Sequence, residues 1–225
     1  MALILYVIRH GETSWNKQRR LQGQHGADLD SEGVLLAEKT RDGMKDIPLD
    51  LCYTSPLIRA KHTAEIVCQG RQIPILEEKR VMEIAFGIWE GKCCDLNRLE
   101  IPRERYLAFH EDPWNYQPPE GGESVRDVVD RCRDFYEELI HNPDLQDKSI
   151  LISTHGCASR AFLNNVYEDK SDFWHGGVPM NCAVSKVVVE NGRGRLEESD
   201  RVYYGKEYYH NFYQAQRDAE LNENK

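Results

Sequence analysis

Three strand-like runs, each leading into a helix signal at a junction that carries a cationic or ring-nitrogen residue, constrain this chain more than any other feature. Leu3 to Ile8 reads as a strand buried on both faces, and it stops abruptly at Arg9-His10-Gly11. Leu49 to Thr54 reads as a second strand. Ser55 follows as an N-cap with Pro56 at the first helical position, which places Arg59 in the first turns of a helix running to about Gln69. Lys148 to Thr154 is a third strand ending in His155-Gly156, with a helix expected from Cys157 to about Val166. This strand-to-helix rhythm is that of an open α/β sheet, in which ligands bind at the carboxyl ends of the strands. Helix N-termini there add backbone N–H donors and a positive dipole end, so the edge suits an anion.

The intervening stretches read more weakly. Asp30 or Ser31 can cap a helix running to about Lys45 and ended by Pro48, and Ile73 to Leu76 is a short strand. The region from Val81 to Gly91 holds Glu83 and the glycine-punctuated run Phe86-Gly87-Ile88-Trp89-Glu90-Gly91, the composition of a functional loop. Prolines 102, 113, 118 and 119, with Trp114 and Tyr116, predict short helices and loops that make residues 84–121 a cover segment. Ser124 and Asp127 form a capping box, and Val125, Val128, Val129, Cys132, Phe135, Leu139 and Ile140 keep to one face of a helix ending near His141. Ala183 to Val189 and Leu196 to Val202 read as a hairpin around an Asn191-Gly192 turn. A polar tail follows Gly205, where Tyr208, Tyr209, Phe212 and Tyr213 predict an ordered segment that frays toward its end.

Composition bounds these readings. A chain of 225 residues, 40% hydrophobic, can bury one sizeable core, so a single domain over residues 1–225 is expected. Its 29 basic and 38 acidic residues leave a net charge of −9, which disfavours nucleic acid or an anionic membrane surface as partner and requires any anion-binding field to be local. Seven cysteines, odd in number and without C-x-x-C spacing, read as reduced thiols of a cytoplasmic protein. The adjacent Cys93-Cys94 pair lacks a mechanism of its own. The segment after Met1 lacks a basic n-region and its apolar run ends at Arg9, so neither a signal peptide nor a membrane helix is expected. Oligomeric state is not written in the sequence.

Arg9-His10-Gly11-Glu12-Thr13, Asn16, Arg20 to Gly23, Ser55 to Ala60, Phe86 to Gly91 and His155-Gly156 occur in that order over Leu3 to Arg160. Together they resemble the histidine phosphatase superfamily, its phosphoglycerate-mutase-like branch. The resemblance implies a three-layer α/β/α sandwich with a mostly parallel sheet, and neither metal nor cofactor. It implies His10 as the nucleophile that becomes phosphohistidine, Arg9, Arg59 and His155 as the phosphate pocket, and Glu83 as the carboxyl proton donor. Asn16, Gln22, Gly23 and Gly156 match positions lining the phosphate or substrate. The detailed motifs resemble the broad-specificity phosphatases more than the glycolytic mutases, and the region from Glu90 to Gly121 is short for a mutase. Gly26 and Asp28 depart from the aspartate and proline usual there, and Cys157 stands where glycine is common.

The chemistry of the residues agrees with these roles. A nucleophilic imidazole must be neutral, and neighbouring arginines oppose its protonation while spreading the charge of a transferring phosphoryl group. A carboxyl held protonated near bound phosphate can serve as acid to the leaving alkoxide and then as base toward water. The expected function is hydrolysis of small phosphorylated metabolites. One alternative is a cofactor-dependent phosphoglycerate mutase, returning the same phosphoryl group to another hydroxyl. A second is a non-catalytic anion-binding module, against which the joint presence of His10 and Glu83 argues. Arg98, Arg103, Arg105 and His110 could meet a second acidic group on the substrate, a solvated helix face being the plainer reading.

Overall fold

The first strand sets the layering. In β1 (Leu3–Arg9) the side chains alternate, Leu3, Leu5 and Val7 joining one buried cluster and Tyr6 and Ile8 another, so the strand needs cover on both faces. The computed structural model describes residues 2–208 and supplies that cover with helices on each side. On one face lie α2 (Ser31–Gly43) and α3 (Ile58–Val67), contributing Leu36, Ala37, Ala64 and Val67. On the other lie α5 (Val125–His141) and α6 (Gly156–Leu163), with Phe135 and Phe162 fully buried between them and the sheet. Truncating Phe135 to alanine would cost roughly 3–5 kcal/mol. The stripe foreseen for α5 is its buried face, with Tyr136 added, and the Ser124–Asp127 capping box starts it.

The sheet has six strands in the order β3-β2-β4-β1-β5-β6, adding β2 (Leu51–Thr54), β3 (Ile75–Glu77), β4 (Ser149–Thr154), β5 (Val184–Glu190) and β6 (Arg193–Arg201). The first four in that order are parallel, and β5 and β6 run antiparallel as a hairpin at one edge. The fold is thus the α/β/α arrangement with a mostly parallel sheet. β1 and β4 are neighbours in register, Arg9 opposite Thr154, so the residues that follow each strand emerge side by side.

Several boundaries differ from the sequence expectation. Ser55 does not cap α3, which starts at Ile58 with Leu57 in the capping position and no side-chain cap. The Ser55 side chain is buried and engaged elsewhere, as described below. A four-residue helix, α1 (Ser14–Lys17), stands where no helix was expected, nucleated by a capping box between Thr13 and Asn16. Helix α6 begins one residue earlier and ends three earlier than expected, and β3 spans only three residues. In the 84–121 region one helix, α4 (Arg103–Glu111), is flanked by short 3₁₀ turns. Gly33, in the first turn of α2, lets that helix press against the chain after β1, since a Cβ there would stand 2.0 Å from the Glu12 carbonyl oxygen. No helix among the described residues is long and apolar enough to cross a membrane. Tyr209, Phe212 and Tyr213 of the expected tail segment lie outside the described residues.

Candidate active site

At the end of β1 the chain is clamped on both sides. The His10 N–H donates to the Thr154 carbonyl of β4 at 2.9 Å, and the His10 carbonyl accepts from Asn181 Nδ2 at 2.9 Å. The ring, 3% exposed, is fixed by its own chain, with Nδ1 2.6 Å from the Gly11 carbonyl oxygen. A carbonyl can only accept, so Nδ1 carries the hydrogen and Nε2 presents a lone pair. Burial, followed by the charges of Arg59 and Arg9, holds the imidazole pKa well below its ordinary value of 6.5, against a smaller opposing pull from the Gly11 carbonyl. An imidazole so placed, and disfavoured from taking a second proton, is chemically able to act as a nitrogen nucleophile.

His155 occupies the matching place after β4, its ring centroid 5.3 Å from that of His10 and tilted by 58°. Its Nε2 and the Ser55 hydroxyl share a hydrogen bond of 2.8 Å, and the same hydroxyl accepts from the Leu57 N–H at 3.3 Å. This is why Ser55 fails to act as a helix cap two residues later. His155 Nδ1 is buried and lacks a hydrogen-bond partner among the described residues. Burial first, then Arg59, His10, Arg131 and Arg9, pushes this imidazole well down as well.

Arg59 sits in the first turn of α3, 1% exposed, and reaches back to the same strand ends. Its Nη2 donates to the Gly23 carbonyl at 2.6 Å and its Nη1 to the His25 carbonyl at 2.7 Å. Arg9 donates through Nη1 to the Pro179 carbonyl. In both arginines Nε is buried without an acceptor among the described residues, an omission that typically costs about 1–3 kcal/mol per group unless a ligand supplies the acceptor. Desolvation pushes the Arg59 pKa down to about 10, which leaves it charged at neutral pH. Two arginines thus flank the His10 imidazole, each with an Nε donor that lacks a hydrogen-bond partner among the described residues.

The loop held by Arg59 is gripped from the other side by Glu90. Its Oε1 accepts from the N–H groups of Gln24 and Phe86, both at 3.0 Å, and its Oε2 accepts from the His25 N–H at 3.0 Å. The loop's carbonyls therefore face a cation and its amides an anion. Gly23 (φ 54°) and Gly26 (φ 115°) are both left-handed, and a Cβ on Gly26 would come within 2.9 Å of Gln22 Oε1 and 3.3 Å of Arg59 Nη1. The unusual glycine at position 26 has this steric reason.

Glu83 is fixed at the start of α6. Its Oε1 accepts from the N–H groups of Ile84 (2.9 Å) and Ala158 (3.1 Å), and its Oε2 from Cys157 (3.2 Å). The N–H donors expected to face a bound anion at this helix end are thus partly taken by Glu83. Its backbone is held by Arg131 of α5, which donates to the carbonyls of Arg80, Met82 and Glu83 and pairs with both oxygens of Glu123. A Cβ on Gly156 would stand 3.6 Å from Glu83 Oε2, 3.8 Å from Arg9 Nε and 2.9 Å from Val178 Cγ1, so this glycine keeps the space between acid and arginine open.

All nine residues singled out from the sequence, Arg9, His10, Asn16, Gln22, Gly23, Arg59, Glu83, His155 and Gly156, gather at this end of the sheet. All but His155 line a cleft of about 190 Å³. Asn16 Oδ1 is spent within the Thr13 capping box, and Gln22 Oε1 accepts from the Thr13 hydroxyl. Of the four cationic or ring residues considered for a second acidic group, only His110 lines the cleft; Arg98 pairs with Asp95, and Arg103 and Arg105 donate to backbone carbonyls. Asn181, Arg131 and the organising role of Glu90 were not foreseen. Glu90 lay inside a motif already noted, whereas Asn181 and Arg131 carried no local signal, one in irregular chain and the other on the polar side of an amphipathic helix.

A mostly parallel α/β sheet that gathers two buried imidazoles, the buried Arg59 and the partly buried Arg9 at adjacent strand ends defines an anion-binding class of site built around histidine. The chain belongs to the histidine phosphatase superfamily, branch 1, whose family model matches residues 5–201. It is 34% identical over 199 residues to the "uncharacterized phosphatase PhoE" of Bacillus subtilis, covering 85% of this chain and 91% of that protein. It is 32% identical over 166 residues to the 2,3-bisphosphoglycerate-dependent phosphoglycerate mutase of Cytophaga hutchinsonii, covering 71% of this chain and 75% of the other. Among solved structures, Bacillus stearothermophilus YhfR superposes with a TM-score of 0.80 at 31% identity, over 88% of this chain and 97% of that one.

Proposed function

We propose that this chain is a phosphomonoesterase that hydrolyses small phosphorylated metabolites through a phosphohistidine on His10. The observation that carries the reading is the hydrogen bond from His10 Nδ1 to the Gly11 carbonyl, which leaves Nε2 as a neutral lone pair between two arginines. In the first step Nε2 attacks phosphorus and the ester oxygen departs, taking a proton from the Glu83 carboxyl group. In the second, Glu83 removes a proton from water, which attacks the phosphohistidine and returns the imidazole to its neutral form. Arg9 and Arg59 bind the phosphoryl oxygens throughout, so the charge is neutralised by protein groups and the reaction is read as needing no metal. The seven unpaired cysteines support a reducing, cytoplasmic setting.

The likeness to a mutase bears on the second step alone, because both reactions share the phosphoenzyme. Protein mixed with labelled substrate and quenched in alkali should carry acid-labile phosphate on His10. Label on a cysteine or serine would overturn the assignment. Chasing the phosphoenzyme with water should release phosphate at the same rate with or without 3-phosphoglycerate; capture of the label as bisphosphoglycerate would favour the mutase.

A further inference from the structure

Beyond the phosphate end, the cleft changes character. Phe86, Tyr106, Phe109, His110 and Trp174 line it together with Val178 and Met180. Phe109 is the hub of these rings, edge-on to Phe86, Tyr116 and Trp174 with centroids 5.1–5.2 Å apart. His110 lies nearly parallel to Trp174 at 5.6 Å and edge-on to Tyr106 at 4.9 Å. Phe86, Tyr106, Phe109 and Trp174 are all at most 7% exposed, and the Trp174 indole N–H is tied to the Phe109 carbonyl at 3.1 Å. These rings are locked against one another, so the wall is shaped before any ligand arrives.

The charged groups nearby are committed to the protein. Arg19 pairs with Asp95 at 3.1 Å. Arg20, at the exposed rim, donates to the Gly91 carbonyl at 2.5 Å and to Gln18 at 3.1 Å. Arg105 spans two carbonyls and lies 4.7 Å over the Trp89 ring, away from the cleft. A substrate carrying a carboxylate beyond its phosphate would bring that charge against aromatic faces, beside a Glu83 already oriented by three N–H groups, and would lose water without gaining a fork. An uncharged apolar or aromatic group would lose nothing and cover the rings.

We infer that the wall of Phe86, Phe109, His110 and Trp174 selects phosphomonoesters whose alcohol is an uncharged, apolar or aromatic group, and discriminates against esters of hydroxy acids. This rests on the reading of Arg9, Arg59 and His10 as the phosphate end. The test compares monoesters of primary alcohols: ethyl phosphate, 2-phenylethyl phosphate and 3-phosphoglycerate. Inorganic phosphate, 2-phenylethylphosphonate and 3-phosphonopropionate serve as inert inhibitors that report binding without chemistry. A methylene-sized difference in an apolar pocket is worth about 10–200-fold. The phenylethyl compounds should accordingly exceed both the ethyl and the carboxylate compounds by at least about tenfold in kcat/KM and in inhibition. His110→Arg, a partly exposed position, should raise kcat/KM for 3-phosphoglycerate and lower it for 2-phenylethyl phosphate. Phe109→Leu, which preserves an apolar core, should narrow the preference with phosphate inhibition unchanged. If phosphate inhibits but the phenyl group adds nothing, or the carboxylate compounds bind better, the inference is wrong while the phosphate end stands. If neither phosphate nor any phosphonate inhibits, the phosphate end is itself misread and the inference falls with it.

Discussion

His10 and His155 stand at the ends of adjacent parallel strands, both buried, both pushed toward the neutral form, yet their rings are wired differently. His10 donates from Nδ1 to a carbonyl of the next residue, an acceptor that can never donate. His155 is joined through Nε2 to a serine hydroxyl, which can donate or accept, and its Nδ1 has no hydrogen-bond partner among the described residues. The first arrangement permits one neutral tautomer and leaves the lone pair on Nε2. The second leaves the proton free to reside on either nitrogen. A shared place in the fold therefore does not confer a shared chemistry; the partner of one ring nitrogen decides it.

The largest effect should come from exchanging the two roles. His10→Ala should abolish both turnover and acid-labile phosphate, whereas His155→Ala should still label His10 on long incubation, although slowly. Stoichiometry and rate of labelling give the answer, and equal loss of label in both variants would erase the distinction. Next in size is Glu83→Gln. General-acid assistance is worth on the order of 10²–10⁴ in rate, and only where the leaving oxygen needs a proton. Single-turnover phosphorylation by an alkyl phosphate should therefore fall far more than by p-nitrophenyl phosphate. Equal losses would make Glu83 a positioning residue and move the acid role to His155.

A smaller effect is expected of Ser55→Ala. It removes one hydrogen bond from the His155 ring and one from the Leu57 N–H, contacts worth about 0.5–1.5 kcal/mol each. Phosphorylation should slow by about tenfold or less, with labelling still confined to His10. A loss as large as that of His155→Ala would mean that the serine alone sets the ring's tautomer. The smallest effect concerns stability. Both imidazoles are pushed below their unfolded value of 6.5, so the unfolded chain takes up protons first as pH falls. Their contribution is fully present above that value and is lost on acidification through the folded pKa values. Urea midpoints should fall as pH drops below the ordinary imidazole range, less steeply in His10→Asn than in the parent; an unchanged slope would show that other groups carry the acid sensitivity.

The three strand ends were legible because burial on both faces writes continuous apolar runs, and because Arg9, His10, Arg59 and His155 interrupt or follow them abruptly. Ser55 misled because a serine followed by proline satisfies the local rules for a helix start, while the bond to His155 joins residues 100 positions apart. Asn181 and Arg131 were invisible for the same reason: each acts through backbone groups brought near by the sheet, at sequence separations of 171 for His10 and 48–51 for the Arg80–Glu83 segment. The aromatic wall was half legible. Phe86 lay in a noted motif and Phe109 and His110 fell in the expected cover, but Trp174 arrives from irregular chain between α6 and β5.

The antiparallel hairpin at the sheet's edge offers a practical handle. Strand β5 begins beside Asn181 and Ala183 at the cleft and runs away from it, so the Asn191-Gly192 turn, exposed and with both residues in the left-handed region (φ 52° and 71°), lies at the opposite end of the sheet. Exposed turn tips are where chains accept foreign residues. A short epitope or a fluorophore-bearing peptide spliced between Asn191 and Gly192 would attach a reporter or a surface tether to the catalyst while leaving both histidines and their partners in place.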